Sequence, residues 1–199
     1  MAASDIEVVN RALTLLGVDP VNSLTDTSKA ASTANRLYND TRAAVFRAHP
    51  WSCLVRRASL PLDAEAPLYG FTYRFVLPAD FLRLLGIENS QGRYSIEARK
   101  ILYDDNILNI SYIALLTDVP SYDTLLVDSL AARLAAELAH PLLQSTSAME
   151  QMWQLYELKL REAKLVNAQE NSQDVLDTDY WLDSRRGINP GYTSTPPRW

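Results

Sequence analysis

Apolar residues recur at helical spacing at both ends of this chain and alternate in the middle. In residues 4–16 the apolar positions Ile6, Val9, Leu13 and Leu16 share one face of a 3.6-residue period. Ser4 followed by Glu7 forms a capping box, and Gly17 suits the residue after a helix end. A second helix is expected over 26–49, with Thr25 or Asp26 as its cap. Its inner face is Ala34, Leu37, Tyr38, Thr41, Val45 and Ala48. Arg36, Asp40 and Arg47 point outward, with Arg36–Asp40 as an i,i+4 ion pair. Pro50 pushes His49 out of the helical region, so the helix stops there, and Trp51 folds back over its end as a core plug. The short connection predicts that these two helices pack antiparallel.

From residue 55 the period changes. A strand is expected over 55–60, carrying Arg56 and Arg57, with a loop over 61–67. Residues 71–77 alternate, placing Phe71, Tyr73, Phe75 and Leu77 on one face and Thr72, Arg74 and Val76 on the other. Residues 78–80 make a turn, 82–88 resume a strand, and 89–92 with Gly92 form a hairpin turn. Short strands follow over 93–97, 100–103 and 107–115, with 104–106 as a turn. The stretch 55–116 thus reads as an antiparallel β-meander inserted between helices.

The helical period returns over 122–140, where Leu126, Leu130, Leu134 and Leu138 form a stripe widened by Val127, Ala131 and Ala135. Arg133 and Glu137 pair on its outside, and His140-Pro141 repeats the stop of the second helix. A fourth helix is expected over 147–169. Ser147 and Glu150 serve as its capping box, Met149, Met152 or Trp153, Tyr156, Leu160 and Ala163 lie inside, and Glu157–Arg161 lies outside. The expected fold is α+β: an antiparallel bundle of about four helices with the inserted meander, residues 1–170, and an extended C-terminal arm, 171–199. Leu37, Tyr38, Val45, Trp51, Leu130, Leu134, Trp153 and Tyr156 are its expected core. The arm contains Gly187, Pro190, Gly191, Pro196 and Pro197, so it is no continuous helix. It also carries Val175, Leu176, Tyr180, Trp181, Leu182, Ile188, Tyr192 and Trp199, a composition unlike that of a solvated tail. That argues for an arm whose aromatics anchor on another surface.

Composition narrows the function. A net charge of −5 over 199 residues argues against a protein that grips phosphates. The single cysteine, Cys53, excludes an intramolecular disulfide and a cysteine-rich metal site; after Trp51 it reads as a buried thiol. The first residues lack the basic and apolar regions of a signal peptide, and no apolar run reaches a membrane span, so a soluble protein made in the cytoplasm is expected. Both histidines precede prolines at helix ends, where capping suffices to explain them. Asp104-Asp105 sits in a turn, and Asp174, Asp177, Asp179 and Asp183 lack the spacing of a calcium loop. Six isolated glycines leave no phosphate loop. Arg56-Arg57 and Arg185-Arg186, the two Arg-Arg doublets, suit ion pairs with a partner better than nucleic acid. No cofactor, metal or catalytic residue is expected. An alternative is a glycan hydrolase using two carboxylates across a cleft.

Read in order, Glu7-Val-Val-Asn-Arg-Ala-Leu-Thr-Leu-Leu-Gly17, Ser23-Leu-Thr-Asp-Thr-Ser28, Tyr38-Asn-Asp-Thr-Arg42 and His49-Pro-Trp51 form a pattern. Leu77-Pro-Ala-Asp-Phe-Leu82, Ile110-Ser-Tyr-Ile113, Ala131-Ala-Arg-Leu-Ala-Ala-Glu-Leu138 and Trp153-Gln-Leu-Tyr-Glu157 continue it. The set resembles the head-to-tail adaptor, or tail tubular protein A, of short-tailed T7-like bacteriophages; one departure lies in Ser52-Cys53-Leu54, where a further aromatic or amide would be expected. The resemblance implies a structural virion protein of the tail rather than an enzyme. It implies a twelve-membered ring of identical subunits that joins the portal to the tail nozzle, tail tubular protein B, and offers docking surface to tail fibres. Double-stranded DNA would pass through the channel without being gripped, as an acidic chain favours. The arm would dock on the portal, with Tyr180, Trp181, Tyr192 and Trp199 as anchors and Arg185 and Arg186 pairing with acidic groups.

Overall fold

The computed structural model describes residues 4–88 and 93–170. Four helices and two small antiparallel sheets give an α+β fold. The helices are α1 (Asp5–Leu15), α2 (Lys29–Ala48), α3 (Thr124–Leu143) and α4 (Thr146–Glu170). The strands are β1 (Val55–Ser59), β2 (Tyr73–Val76), β3 (Phe81–Ile87), β4 (Ser95–Glu97), β5 (Lys100–Tyr103) and β6 (Asn109–Ala114). The expected turn at 89–92 and the arm at 171–199, with Tyr180, Trp181, Arg185, Arg186, Tyr192 and Trp199, lie outside the described residues.

Both ends of α1 follow from its sequence. Ser4 Oγ accepts the Glu7 N–H at 3.2 Å. At the other end Val18 N–H reaches Leu13 O and Gly17 N–H reaches Thr14 O, a Schellman closure that needs the positive φ of Gly17, +67°. The buried face is Val8, Val9, Ala12 and Leu13; Ile6 and Leu16 are only half-buried. α2 begins two residues later than the Asp26 cap would place it. The Asp26 carboxylate instead accepts the N–H groups of Asn22 and Ser23 and closes the preceding turn, leaving Ser28 to cap Ala31. Ala34, Tyr38, Thr41 and Val45 are buried, joined by Ala31, Arg42 and Phe46. Leu37, at the border of that stripe, is half-buried, and Ala48 is exposed. Trp51 is the expected plug: its ring is buried, and Nε1 donates to Val45 O at 3.1 Å. That carbonyl is one of the last four of α2, for which the helix itself supplies no N–H.

α3 is the centre of the helical layer. Eleven of its residues are buried, including the whole Leu126, Leu130, Leu134, Leu138 stripe. α1, α2 and α4 all pack on it, while α1 and α2 touch each other little, so the first two helices are held chiefly by docking on α3. The second His-Pro does not stop a helix. Pro141 lies inside α3, and Gln144, with φ +52°, closes the last turn by donating to His140 O at 2.9 Å. Proline lacks the N–H for an i−4 bond, yet its fixed φ is helical, and one further turn remains beyond it. α4 is capped by Ser145, which accepts the Ala148 N–H, rather than by Ser147. Tyr156 and Ala163 are buried in it; Trp153, Met149, Met152 and Leu160 are half-buried. Its outer ion pair is Lys159–Glu162 at 3.5 Å; among the described residues neither Glu157–Arg161 nor Arg36–Asp40 is within ion-pair distance.

The strands form two three-stranded sheets, ordered β1-β6-β3 and β2-β5-β4, and not one meander. β6 explains the difference. Ile113 faces the helical core while Ile110, Tyr112 and Ala114 face a second core, so β6 is buried on both sides and takes a partner at each edge. β3 presents Leu82 and Leu85 to the helices and Phe81, Leu84 and Ile87 to the second core. A three-residue spacing on one face of a strand requires bulges, and the register shifts between Phe81 and Arg83 and between Leu84 and Gly86. Phe75, Leu77, Ile101 and Tyr103 close the second core from the other sheet. The layers therefore run helices, first sheet, second sheet.

Replacing Trp51 with Phe strands the Val45 carbonyl in the core and should cost roughly 1–3 kcal/mol, read from the urea midpoint. The β4–β5 turn places Ala98 and Arg99 at φ +44° and +61°. Asparagine accepts that conformation better than alanine, so Ala98→Asn should raise stability by about 0.5–1 kcal/mol in the same titration.

Candidate functional site

Polar side chains inside the helical layer make three joints. In the first, Asn167 near the end of α4 reaches the Pro50–Ser52 turn. Its Oδ1 accepts the Ser52 backbone N–H at 3.0 Å and the Ser52 hydroxyl at 2.9 Å. A backbone N–H can only donate, so the amide orientation is fixed and Nδ2 faces His49 Nε2 at 3.0 Å. His49 must then accept through Nε2, which requires the neutral ring. Burial, followed by the charges of Lys164 and Arg83, accordingly holds its pKa below the ordinary histidine value. The ring packs edge-on against Trp51 at 4.9 Å. In the second joint Arg133 is not an outside residue. Its guanidinium lies over Trp153 at 4.1 Å and Tyr156 at 5.3 Å and pairs with Glu137 at 2.7 Å. Glu137 also accepts the Thr41 hydroxyl at 2.5 Å, so one ion pair ties α2, α3 and α4 together. In the third, buried Arg42 stands 3.7 Å from Asp5 and over the Tyr38 ring. Tyr38 donates to Asp5 at 2.8 Å, and burial, then that carboxylate, raises its pKa well above the usual phenol range. All three are structural.

The sheets carry the open surfaces. A cleft of about 520 Å³ lies over the first sheet, lined in part by Arg57, Ser59, Gly86, Glu88, Asn109 and Ser111. A second, of about 350 Å³, lies between residues 67–71 and the second sheet, with Arg74, Glu97 and Lys100 on its wall. The first is large enough for a small ligand. Each has one carboxylate on its lining, Glu88 in the first, already accepting from Asn109 at 2.8 Å, and Glu97 in the second. A two-carboxylate glycan hydrolase needs a facing pair roughly 5–9.5 Å apart. Among the described residues no group of three or more His, Cys, Asp or Glu could hold a metal ion, and no helix is long and apolar enough to cross a membrane.

Between β1 and β2, residues 61–72 form a tethered loop. Asp63 pairs with Lys100 and, at 2.7 Å, with Arg74, which also holds Glu65 at 2.8 Å. The Lys100 hydrogen bond, with the charges of Arg74 and Lys100, keeps the Asp63 carboxyl below its ordinary pKa. At the far end Arg93 donates to Gly70 O at 2.5 Å and lies over the Phe71 ring. The tip between these tethers is apolar and bare: Leu68 is 97% exposed and Tyr69 86%. Other exposed apolar side chains among the described residues include Ile107, 67% exposed, and Leu158 and Leu165 on α4, each 61% exposed.

Of the residues singled out by sequence, Arg56 pairs with Asp80 at 3.6 Å, Arg57 lines the first cleft, and Asp104 caps Thr72 and pairs with Arg93 at 3.5 Å. Cys53 is half-buried rather than buried, and desolvation raises its thiol pKa. Asp174, Asp177, Asp179 and Asp183 fall outside the described residues. Asn167, Asp63 and the Leu68–Tyr69 tip escaped the sequence reading; only the tip had a signal, two large apolar residues inside a proline- and glycine-bounded loop. A comparison with protein-family models finds no match, and neither does a search of curated proteins.

The His49 joint gives a pH prediction. A depressed folded-state pKa means that the unfolded chain binds the proton first, so this contribution is full above about pH 6.5 and is lost as pH falls below it. His49→Gln should show a smaller loss of urea midpoint between pH 7.5 and pH 5.5 than the parent. Identical slopes would mean that His49 is not held neutral.

Proposed function

We propose that this chain is a head-to-tail adaptor of a short-tailed phage virion, a ring subunit that joins the portal to the tail nozzle and fibres. The reading rests on the ordered sequence pattern and on one structural observation. Among the exposed apolar residues of the described domain are the Leu68–Tyr69 tip beside the second sheet and Leu158 and Leu165 on α4, two unlike places. A closed ring is built from heterologous contacts, in which each subunit offers two different surfaces. Exposed apolar surface in unlike places on one subunit fits that requirement. In this reading the helices form an antiparallel bundle, the strands an insert on it, and the ring has twelve members. Double-stranded DNA passes through its channel, where a net charge of −5 per subunit does not retain phosphates. The arm docks on the portal through Tyr180, Trp181, Tyr192 and Trp199, with Arg185 and Arg186 against acidic groups.

Light scattering of the purified chain with and without its portal tests this. A ring-sized mass gained on the portal is expected, and deletion of 174–199 should abolish that gain while helical circular dichroism stays unchanged. A full chain that never gains mass on portal refutes the adaptor, and a truncated chain that docks as well as the parent refutes the role of the arm.

A further inference from the structure

Four strands form the edges of the two sheets, β1 and β3 in the first and β2 and β4 in the second. Three of these edges are guarded. Residues 61–63 run along β2, where Pro61 O accepts the Val76 N–H at 3.1 Å and the Asp63 N–H donates to Arg74 O at 2.7 Å. β3 carries two bulges, and Arg47 donates to its Leu82 O at 2.6 Å. β4 is only three residues long. β1 differs: it runs five residues in unbroken register with β6, and none of them is buried. Its free side follows from one bond. The Leu60 N–H donates to Leu108 O at 2.9 Å, one step beyond the Ser59–Asn109 pair. Bonding alternates along an antiparallel pair, so Ala58 and Arg56 also face β6, and the N–H and C=O groups of Arg57 and Ser59 point away from it. Among the described residues nothing bonds to these groups. Such a row is a template for a further strand.

Arg57 and Ser59 also line the cleft of about 520 Å³ over the first sheet. A strand added at β1 lies along the rim of that cleft, where its alternate side chains can enter. Main-chain bonds then supply affinity and the cleft supplies choice. Charge sets the choice. Arg56 points to the opposite face of the strand, 3.6 Å from Asp80. Arg57 is exposed and has no ion pair or hydrogen bond among the described residues. Glu88, the carboxylate of the cleft lining, lies across β6 and accepts from Asn109 at 2.8 Å. We propose that the β1 edge is a docking site for an extended acidic segment of another protein. It adds as an antiparallel strand, with a carboxylate opposite Arg57, where opposite charges attract. A second copy of β1 fits less well: registers that pair Arg57 with Arg57 or with Ser59 set the two Arg57 side chains opposite or diagonal to each other. The docking stands without the adaptor reading.

The test is amide hydrogen exchange of the full chain, read by NMR, with a short capped peptide of alternating valine and threonine and one central glutamate as probe. In the free chain the Arg57 and Ser59 amides should exchange fast and the Ala58 amide slowly. With the peptide at millimolar concentration, the Arg57 and Ser59 amides should slow about tenfold or more. A methyl on the glutamate nitrogen should abolish this protection, and a methyl on the next nitrogen should not, because only the first N–H faces β1. Lysine in place of the glutamate should weaken protection roughly two- to fivefold, and Arg57→Glu, an exposed substitution, should reverse the preference. The proposal is overturned by absent protection, or by protection indifferent to which nitrogen is methylated. It is overturned equally if glutamate and lysine peptides protect alike. Slow Arg57 and Ser59 amides in a free chain of dimer mass would give the edge to a second copy and overturn it too. No arm of the test involves portal, so its failure leaves the adaptor reading untouched.

Discussion

Eleven of the twenty residues of α3 are buried, and its charged side chains Asp128, Arg133 and Glu137 are tied to neighbouring helices, so this helix must be enclosed. Its four stripe leucines alone account for several kcal/mol of burial at about 1.5–3 kcal/mol each, an upper figure that is still comparable with the whole net stability of a domain. The alanines between them, Ala131, Ala132, Ala135, Ala136 and Ala139, let neighbouring elements approach closely. This enclosure decides where α1, α2 and α4 sit. It also explains why Trp51 and Leu54 are drawn into the same core at the point where the chain passes from α2 to β1.

The polar joints then fix what apolar burial leaves free to slide. Arg133 and Glu137 lock three helices at one level, and Asn167 locks the end of α4 to the chain between α2 and β1. On the sheet side the corresponding lock is Asp63 with Arg74 and Lys100, which anchors a loop otherwise free to collapse its Leu68–Tyr69 tip onto the nearest apolar surface. Rigid tethers on both flanks of an exposed apolar tip keep it presented, at the cost of leaving apolar surface in water.

Much of this architecture was legible in the chain. The leucine stripe of α3, the Ser4 cap, the Gly17 closure and the Trp51 plug are local or periodic features, and local chemistry determines them. Asp26 misled because a turn and a helix competed for one carboxylate and the turn took it. Pro141 misled because proline excludes a hydrogen bond but not a helical φ. The strand order was not legible: alternation marks a strand and its faces, whereas partnership depends on burial of β6 from both sides, which residues distant in sequence supply. Of the candidate surfaces, the arm was read from composition alone, and Leu158 and Leu165 of α4 were passed over because they lie off the helix's expected inner face.

The order of strands and helices also sets a clock. β1 pairs with β6 from residue 109 onward, and α1 and α2 dock on a helix that starts at Thr124. On a ribosome adding about 5–20 residues per second, roughly 75 residues separate the end of α2 from the start of α3, a wait of several seconds. Through that interval the inner faces of the first two helices have no native mate, and neither does the edge of β1. The nascent chain is therefore at its most adhesive while half-made. Its N-terminal half falls within the care of whatever general chaperones the cell keeps at the tunnel exit, until the central helix arrives to claim it.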